Sequence, residues 1–343
     1  MKPKHLTTIT FFCLLLASIG LFINAMAQKP DATAESSYRL SGPYTHGNLT
    51  VFLVHGKDLT NKTFLTLQEA LAQKKVRVYE TGDVHELAIR NLSNQDIYVQ
   101  AGDIVRGGDQ DRMISIDFIV PPKSGRMPIA AFCVESGRWS KRGNEENASF
   151  NSSENMIATK DLKLAAKRER SQEDVWKNVS VAQKKLSDSV GGDVQAPMSA
   201  SSLELSVENV KVKENTESYI KALSGILQNK SDVIGYVFAI NGHVNSADVY
   251  ASRALFAKLW PKLLKASAVE AVAELNKDVE AKPVVSEAVY TFLTDSDKAR
   301  SEAREVTRRV KLVTKEDEKN ILFETQDRAA NDGWVHRNYI RKQ

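Results

Sequence analysis

Val233-Ile-Gly-Tyr-Val-Phe-Ala-Ile-Asn-Gly242 is an apolar run that ends in an Asn-Gly pair. The density of β-branched and aromatic residues predicts a strand, and Asn-Gly predicts a tight hairpin turn, because both central positions need positive φ. From about Ser252 the pattern changes. Leu255, Leu259, Leu263 and Leu264 recur at helical spacing. Pro261 either kinks this helix or opens a second one at its first position. Strand, turn and helix in one short unit predict a mixed fold.

Outward from this unit, residues 38–140 read as strands. Tyr38–Leu40, Leu49–Val54, Val76–Tyr79, Val84–Ile89, Ile97–Val99, Met113–Val120 and Ile129–Val134 are short and rich in β-formers. Ser41-Gly-Pro, Asn91-Leu-Ser-Asn, Gly107-Gly and Pro121-Pro-Lys-Ser-Gly separate them. The exception is Thr63–Gln73, where Leu65, Leu67 and Leu71 suit a short helix. Residues 141–230 read as loop and helix. Asn144–Glu154 is a polar loop; Ser171-Gln-Glu-Asp174 caps a helix through Val175, Val179, Ala182 and Leu186, which Gly191-Gly192 ends; Ile220, Leu223 and Leu227 line another. Lys167-Arg-Glu-Arg170 reads as a solvated helix face. Val306–Val313, Ile321–Glu324 and Trp334–Ile340 return to strands, so 231–340 forms an α/β second half. The expected class is α+β, with a predominantly antiparallel sheet, sandwich-like or rolled, and several helices packed on it.

The N-terminus predicts an address. Lys2 and Lys4 precede the apolar run Phe11–Ile23, and Ala25-Met26-Ala27 is a small-x-small cleavage site. Residues 1–27 are therefore expected to be a signal peptide of a bacterial protein that is periplasmic or secreted, and the polar 28–37 a spacer. Removing Lys2 and Lys4, with no acid, lowers the formal charge from +4 to about +2. A near-neutral chain gives no reason to expect nucleic acid. No transmembrane span is expected after cleavage. The 42% apolar content of 343 residues can fill a core, which excludes a wholly disordered chain. Of two cysteines, Cys13 and Cys133, only the second lies beyond the signal, which excludes an internal disulfide; Cys133 reads as a small buried hydrophobe. His46, His55, His85, His243 and His336 show no close metal-ligand spacing and read as surface or packed residues.

Chemistry concentrates in two segments. Residues 100–112 are Gln-Ala-Gly-Asp-Ile-Val-Arg-Gly-Gly-Asp-Gln-Asp-Arg, and 134–142 are Val-Glu-Ser-Gly-Arg-Trp-Ser-Lys-Arg. If the strands at 111–120 and 126–135 pair as a hairpin, Asp111 and Arg112 share one end with Glu135 and Arg138. Arg112 and Arg138 are each expected to pair with Asp109, Asp111 or Glu135. Arginine forks suit phosphate or carboxylate, and Trp139 could stack on a ring. The competing reading is a salt-bridged turn. No phosphate-loop or dinucleotide-binding glycine motif is present.

Val99–Arg112 and Phe132–Trp139 together resemble a bacterial family, the ADP-ribosylglycohydrolase (ARG) and Rhodanese-Phosphatase-superfamily-associated Protein domain. Val233–Gly242 and the helix after it are similar to that family's second block. The resemblance covers about residues 38–340, with an insert-like stretch near 144–205. The family name records gene association, not an activity; it implies a link to ADP-ribose or phosphate-bearing ligands. An exported location works against an intracellular ADP-ribosylation role. The expected function is an exported accessory or binding domain for an anionic, phosphate- or nucleotide-like small molecule. Its candidate residues are Asp103, Asp109, Gln110, Asp111, Arg112, Glu135, Arg138 and Trp139. The alternatives are a hydrolase using Asp103, Asp109, Asp111 and Glu135, and a structural envelope protein with a partner-binding face. The residues name no catalytic group, cofactor, metal or protein partner.

Overall fold

The computed structural model describes residues 38–140, 142, 150–156, 159–276 and 283–342; residues 1–37, where a signal peptide and a spacer are expected, lie outside the described residues. Strands β1 (Arg39–His46) and β2 (Leu49–His55) form a hairpin. Next come β3 (Leu65–Thr66), α1 (Leu67–Ala72), β4 (Val76–Tyr79), β5 (Glu86–Asn91), β6 (Ile97–Val99) and β7 (Asp103–Gly107). Then follow β8 (Arg112–Ile114), β9 (Phe118–Val120), β10 (Met127–Cys133) and β11 (Phe150–Met156). Helices α2 (Lys160–Leu164), α3 (Gln172–Val190), α4 (Leu203–Val207) and α5 (Val210–Leu223) fill the middle. The second half holds β12 (Val233–Ile240), β13 (His243–Tyr250), α6 (Arg253–Ala273), α7 (Ser286–Lys298), β14 (Arg300–Glu305), β15 (Val310–Glu316), β16 (Asn320–Asp327) and β17 (Gly333–Arg341).

The strands form three sheets. An eight-stranded antiparallel sheet has the order β1-β2-β12-β13-β17-β16-β15-β14, and a six-stranded one the order β11-β7-β8-β10-β5-β4. In the small β3-β6-β9 sheet, β3 and β6 run parallel. The fold is α+β with large antiparallel sheets, as the patterning predicts.

The central strands β2 and β12 of the eight-stranded sheet are buried on both faces, which explains why they read as continuous apolar runs, whereas the edge strands β1 and β14 are largely exposed. Val51, Leu53, Tyr236 and Phe238 point to one face, against α3, α5 and α6. Phe52, Val54, Val237 and Ala239 point to the other, against Val289, Phe292 and Leu293 of α7. A further core joins the six-stranded and small sheets to Leu312, Ile321 and Phe323 of β15 and β16.

Several elements differ from expectation. Met113–Val120 is two strands in different sheets, because the chain turns at Ser115–Asp117 to send Asp117 inward. Phe150–Glu154 lies in strand β11, since pairing with β7 overrides its polar composition. Pro261 does not open a second helix: α6 runs through it, with Pro261 on its exposed side. Arg168, Glu169 and Arg170 are exposed as expected, but Lys167 is half-buried. A π-helical turn, Ala165–Glu169, directs its ammonium onto Asn338 Oδ1 at 2.8 Å and over the Phe323 ring. Among the described residues no helix is long and apolar enough to cross a membrane.

Candidate functional site

β7 and β8 pair antiparallel, and the Gly108–Asp111 loop joins them. Gly107 and Gly108 have φ of 123° and 57°. At Gly108 glycine is also needed for space, since a Cβ would lie 2.5 Å from the Phe150 ring and 2.7 Å from Glu80 Oε2. β10 pairs with β8, Cys133 opposite Arg112. The chain continues alongside the loop, where the Val134 amide donates to the Asp111 carbonyl at 3.1 Å. The β8–β10 ladder brings Asp111 and Glu135 together.

Both carboxylates are completely buried and gripped by arginines. Arg142 donates to Asp111 through Nη1 (3.0 Å to Oδ2) and Nη2 (3.2 Å to Oδ1), and the Gly107 amide donates to Oδ1 at 3.2 Å. Arg138 Nη2 lies 2.8 Å from Glu135 Oε2, which also accepts from the Asp111 amide at 3.1 Å. Arg138 Nη1 donates to the Gly108 carbonyl at 3.2 Å. The two acids titrate in opposite directions. Burial pushes the Asp111 carboxyl up, with Arg142 opposing and the Glu135 charge adding to the rise. Burial also pushes Glu135 up, but hydrogen bonds from Arg138, Ser199 and the Asp111 amide outweigh it and hold the group below its ordinary value.

The remaining expected residues scatter around this pair. Arg112 does not join Asp111 or Glu135; its guanidinium donates to Glu80 Oε1 and to the Asp83 carbonyl, both at 3.0 Å. That partner comes from the turn after β4, where the sequence carries no pairing signal. Asp103 lies at the far end of β7, buried against Lys262 of α6 at 2.6 Å. Gln110 is fully buried with neither amide atom partnered. Asp109 is half-buried, and its carboxylate makes no hydrogen bond or ion pair among the described residues. Trp139 is 57% exposed. Arg142 was not among the expected residues, although it ends the same basic segment. The network reaches further through Arg106, which donates to Glu208 at 2.7 Å and lies 3.7 Å from Glu204.

Cys133 is inert by its surroundings. Its amide and carbonyl both bond the Gln172 side chain at 2.8 Å, and burial pushes its thiol up to about 11.

A second buried polar group surrounds His336, whose sequence context suits a surface or packed residue equally. His336 Nδ1 lies 2.8 Å from Asp117 Oδ2, and Nε2 lies 3.0 Å from Asp248 Oδ1. Burial lowers the ring's pKa, but the charges and hydrogen bonds of the two carboxylates outweigh it and raise it, which favours the imidazolium form. The ring stacks on Tyr250, with centroids 4.4 Å apart. Asp117 also accepts from Thr325 and the Ala101 amide, which ties the two halves together. The adjoining cavity, lined in part by Lys163, Lys167 and Asn338, has about 20 Å³ open to a water centre, room for one water.

Two glycine conformations, a hairpin and matched acid–arginine pairs thus carry the motifs Val99–Arg112 and Phe132–Trp139. No curated protein and no solved structure matches the chain. A family model does match, over residues 37–340, and the chain belongs to that family, the ARG and Rhodanese-Phosphatase-superfamily-associated Protein domain.

Proposed function

We propose that this chain is an exported bacterial accessory domain that binds an anionic small molecule and does not hydrolyse it. The observation that carries the reading is the state of Asp111 and Glu135. General acid or base work needs a carboxyl group within reach of substrate. Both groups are instead buried and ion-paired with Arg142 and Arg138, although Glu135 Oε1 accepts no hydrogen bond. The same pairing removes these arginines as a free anion site, so the cluster braces two loops. The candidate place for an anionic ligand lies elsewhere, in a groove where Lys160 and Arg341 stand beside Asp161, Glu270 and the Lys185–Glu274 ion pair. Export rests on Lys2, Lys4, the Phe11–Ile23 run and Ala25-Met26-Ala27.

The test is a thermal-shift screen of the chain from Gln28 onward with phosphate, AMP and ADP-ribose, followed by chromatography of each mixture. A ligand at 100 times its Kd stabilises the folded state by about 2.7 kcal/mol. The expected result is stabilisation by an anion that is recovered unchanged. Stabilisation by none, or turnover lost in Asp111→Asn or Glu135→Gln, overturns the reading.

A further inference from the structure

β1 is an edge strand of the eight-stranded sheet. It pairs Ser41 with Leu53 and Tyr44 with Val51, so Gly42 and Pro43 together face Phe52. Such a bulge bends a strand and re-aims its side chains. On the other side of β2, β12 carries an extra residue, Ile234, between Val233 opposite His55 and Gly235 opposite Val54. Asp232 stands just before β12, and its carbonyl accepts from the Gly56 amide at 2.9 Å. The two irregularities flank His55, the last residue of β2.

There Ser41 Oγ lies 2.7 Å from His55 Nε2, and His55 Nδ1 lies 2.7 Å from Asp232 Oδ1. A hydroxyl, an imidazole and a carboxylate linked in this order activate a serine, and the arrangement is recognised by geometry, not by sequence order. The hydrogen bond with His55, and then that of Arg39, holds the Asp232 carboxyl below its ordinary value. An ionised carboxylate only accepts, so in the neutral ring the hydrogen sits on Nδ1 and the Nε2 lone pair faces the Ser41 hydroxyl. Arg39 Nη2 also lies 3.0 Å from Nδ1, but it donates to Asp232 Oδ2 at 2.7 Å. His55 is buried, Ser41 is half-buried, and Arg39, Gly42, Pro43 and Asp232 are exposed around them. An open surface of this kind suits the acyl group of a small ester.

We infer that Ser41 is the nucleophile and His55 the general base of a hydrolase for small carboxylic esters, with Asp232 as the positioning residue. His55 Nε2 takes the hydroxyl proton as Ser41 Oγ bonds to the acyl carbon. The same proton passes to the alcohol oxygen as its bond to that carbon breaks. Water then gives a proton to His55 and its oxygen to the acyl carbon, and the proton returns to Ser41 Oγ as the carboxylic acid leaves. Tyr44 Oη, 3.4 Å from Ser41 Oγ, supplies a hydroxyl beside the oxyanion that forms in each step. The inference goes beyond the anion-binding reading: none of the three residues lines the groove, and the ester is not the anion placed there.

Treatment of the full-length chain with a fluorophosphonate, followed by digestion and mass spectrometry, tests it together with hydrolysis of p-nitrophenyl acetate. Ser41→Ala removes the nucleophile. Asp232→Asn keeps the shape of an exposed side chain, but its amide can donate to Nδ1 and move the ring hydrogen to Nε2, which removes the base. Both variants should melt within a few degrees of wild type. The expected result is a phosphonyl adduct on Ser41 that does not form in urea, and a fall in kcat of at least tenfold in each variant, with KM within threefold in Asp232→Asn. No adduct on Ser41, an equal adduct in urea, or a smaller fall in either variant overturns the inference. If a variant fails to fold, the adduct on the wild-type chain still decides.

Discussion

Arg142 holds Asp111 with both guanidinium nitrogens, Nη1 to Oδ2 at 3.0 Å and Nη2 to Oδ1 at 3.2 Å, and both side chains are buried. This fork ties the segment after β10 to the β7–β8 loop. Arg142→Ala leaves a buried acid without its main partner. The expected destabilisation is about 3–5 kcal/mol. Asp111→Leu with Arg142→Met should recover most of it, because no charge is then stranded. Urea denaturation of both variants checks both statements.

His336 predicts a pH dependence. Burial lowers its pKa, but the charges and hydrogen bonds of Asp117 and Asp248 outweigh burial and raise it. Lys167 faces the same acids, and Tyr98 and Tyr250 flank the ring. A raised histidine contributes stability that is fully present below its unfolded value, about 6.5, and is lost as pH rises through the folded value. Folding free energy should therefore decline on the alkaline side of pH 6.5. His336→Gln should be less stable than wild type at pH 6, with the gap narrowing as pH rises. Denaturation midpoints across pH 6–9 read this directly; a gap that widens with pH contradicts it.

Much of the fold was legible because local pattern and tertiary context agree. The Val233–Gly242 strand and turn, the Ser171 cap and the Gly191 stop all appear as expected. The failures share one physical cause, which is long-range pairing. Phe150–Met156 has polar composition but finds β7. Lys167 looks like a surface cation until the π-helical turn faces it to Asn338. In the cluster, the meeting of Asp111 with Glu135 and Arg138 is legible from the expected pairing of the two strands, of which only Arg112–Ile114 and Ala131–Cys133 pair while Phe118–Val120 joins another sheet. Glu80 as the partner of Arg112, and Lys262 as the partner of Asp103, were not, because no spacing rule links residues that meet only through the sheets.

Cys133 should resist alkylation. Its thiol is buried and pushed up to about 11, so little thiolate exists at pH 8. Iodoacetamide labelling of the folded chain from Gln28 onward should be at least a hundredfold slower than in urea. Equal rates would show an accessible thiol.

Trp139 and Asp109 are expected to be dispensable to the fold. Trp139 is exposed, and the Asp109 carboxylate makes no bond among the described residues. Trp139→Ala and Asp109→Asn should each change stability by less than about 0.5 kcal/mol. Because both lie outside the groove lining, anion affinity should also stay within twofold of wild type. A tenfold loss would return the ligand to the loop cluster.

The central claim is that the acid–arginine cluster braces the fold while an anion binds elsewhere. Arg138→Ala tests it most directly, through melting temperature measured with and without a saturating anion from the screen. Arg138 is almost fully buried against Glu135 at 2.8 Å, so its loss strands that acid. The account predicts a melting temperature several degrees below wild type, from a loss of about 3–5 kcal/mol, with the anion-induced rise preserved in size. A near-wild-type melt that no longer responds to the anion would contradict it and make Arg138 part of the binding site.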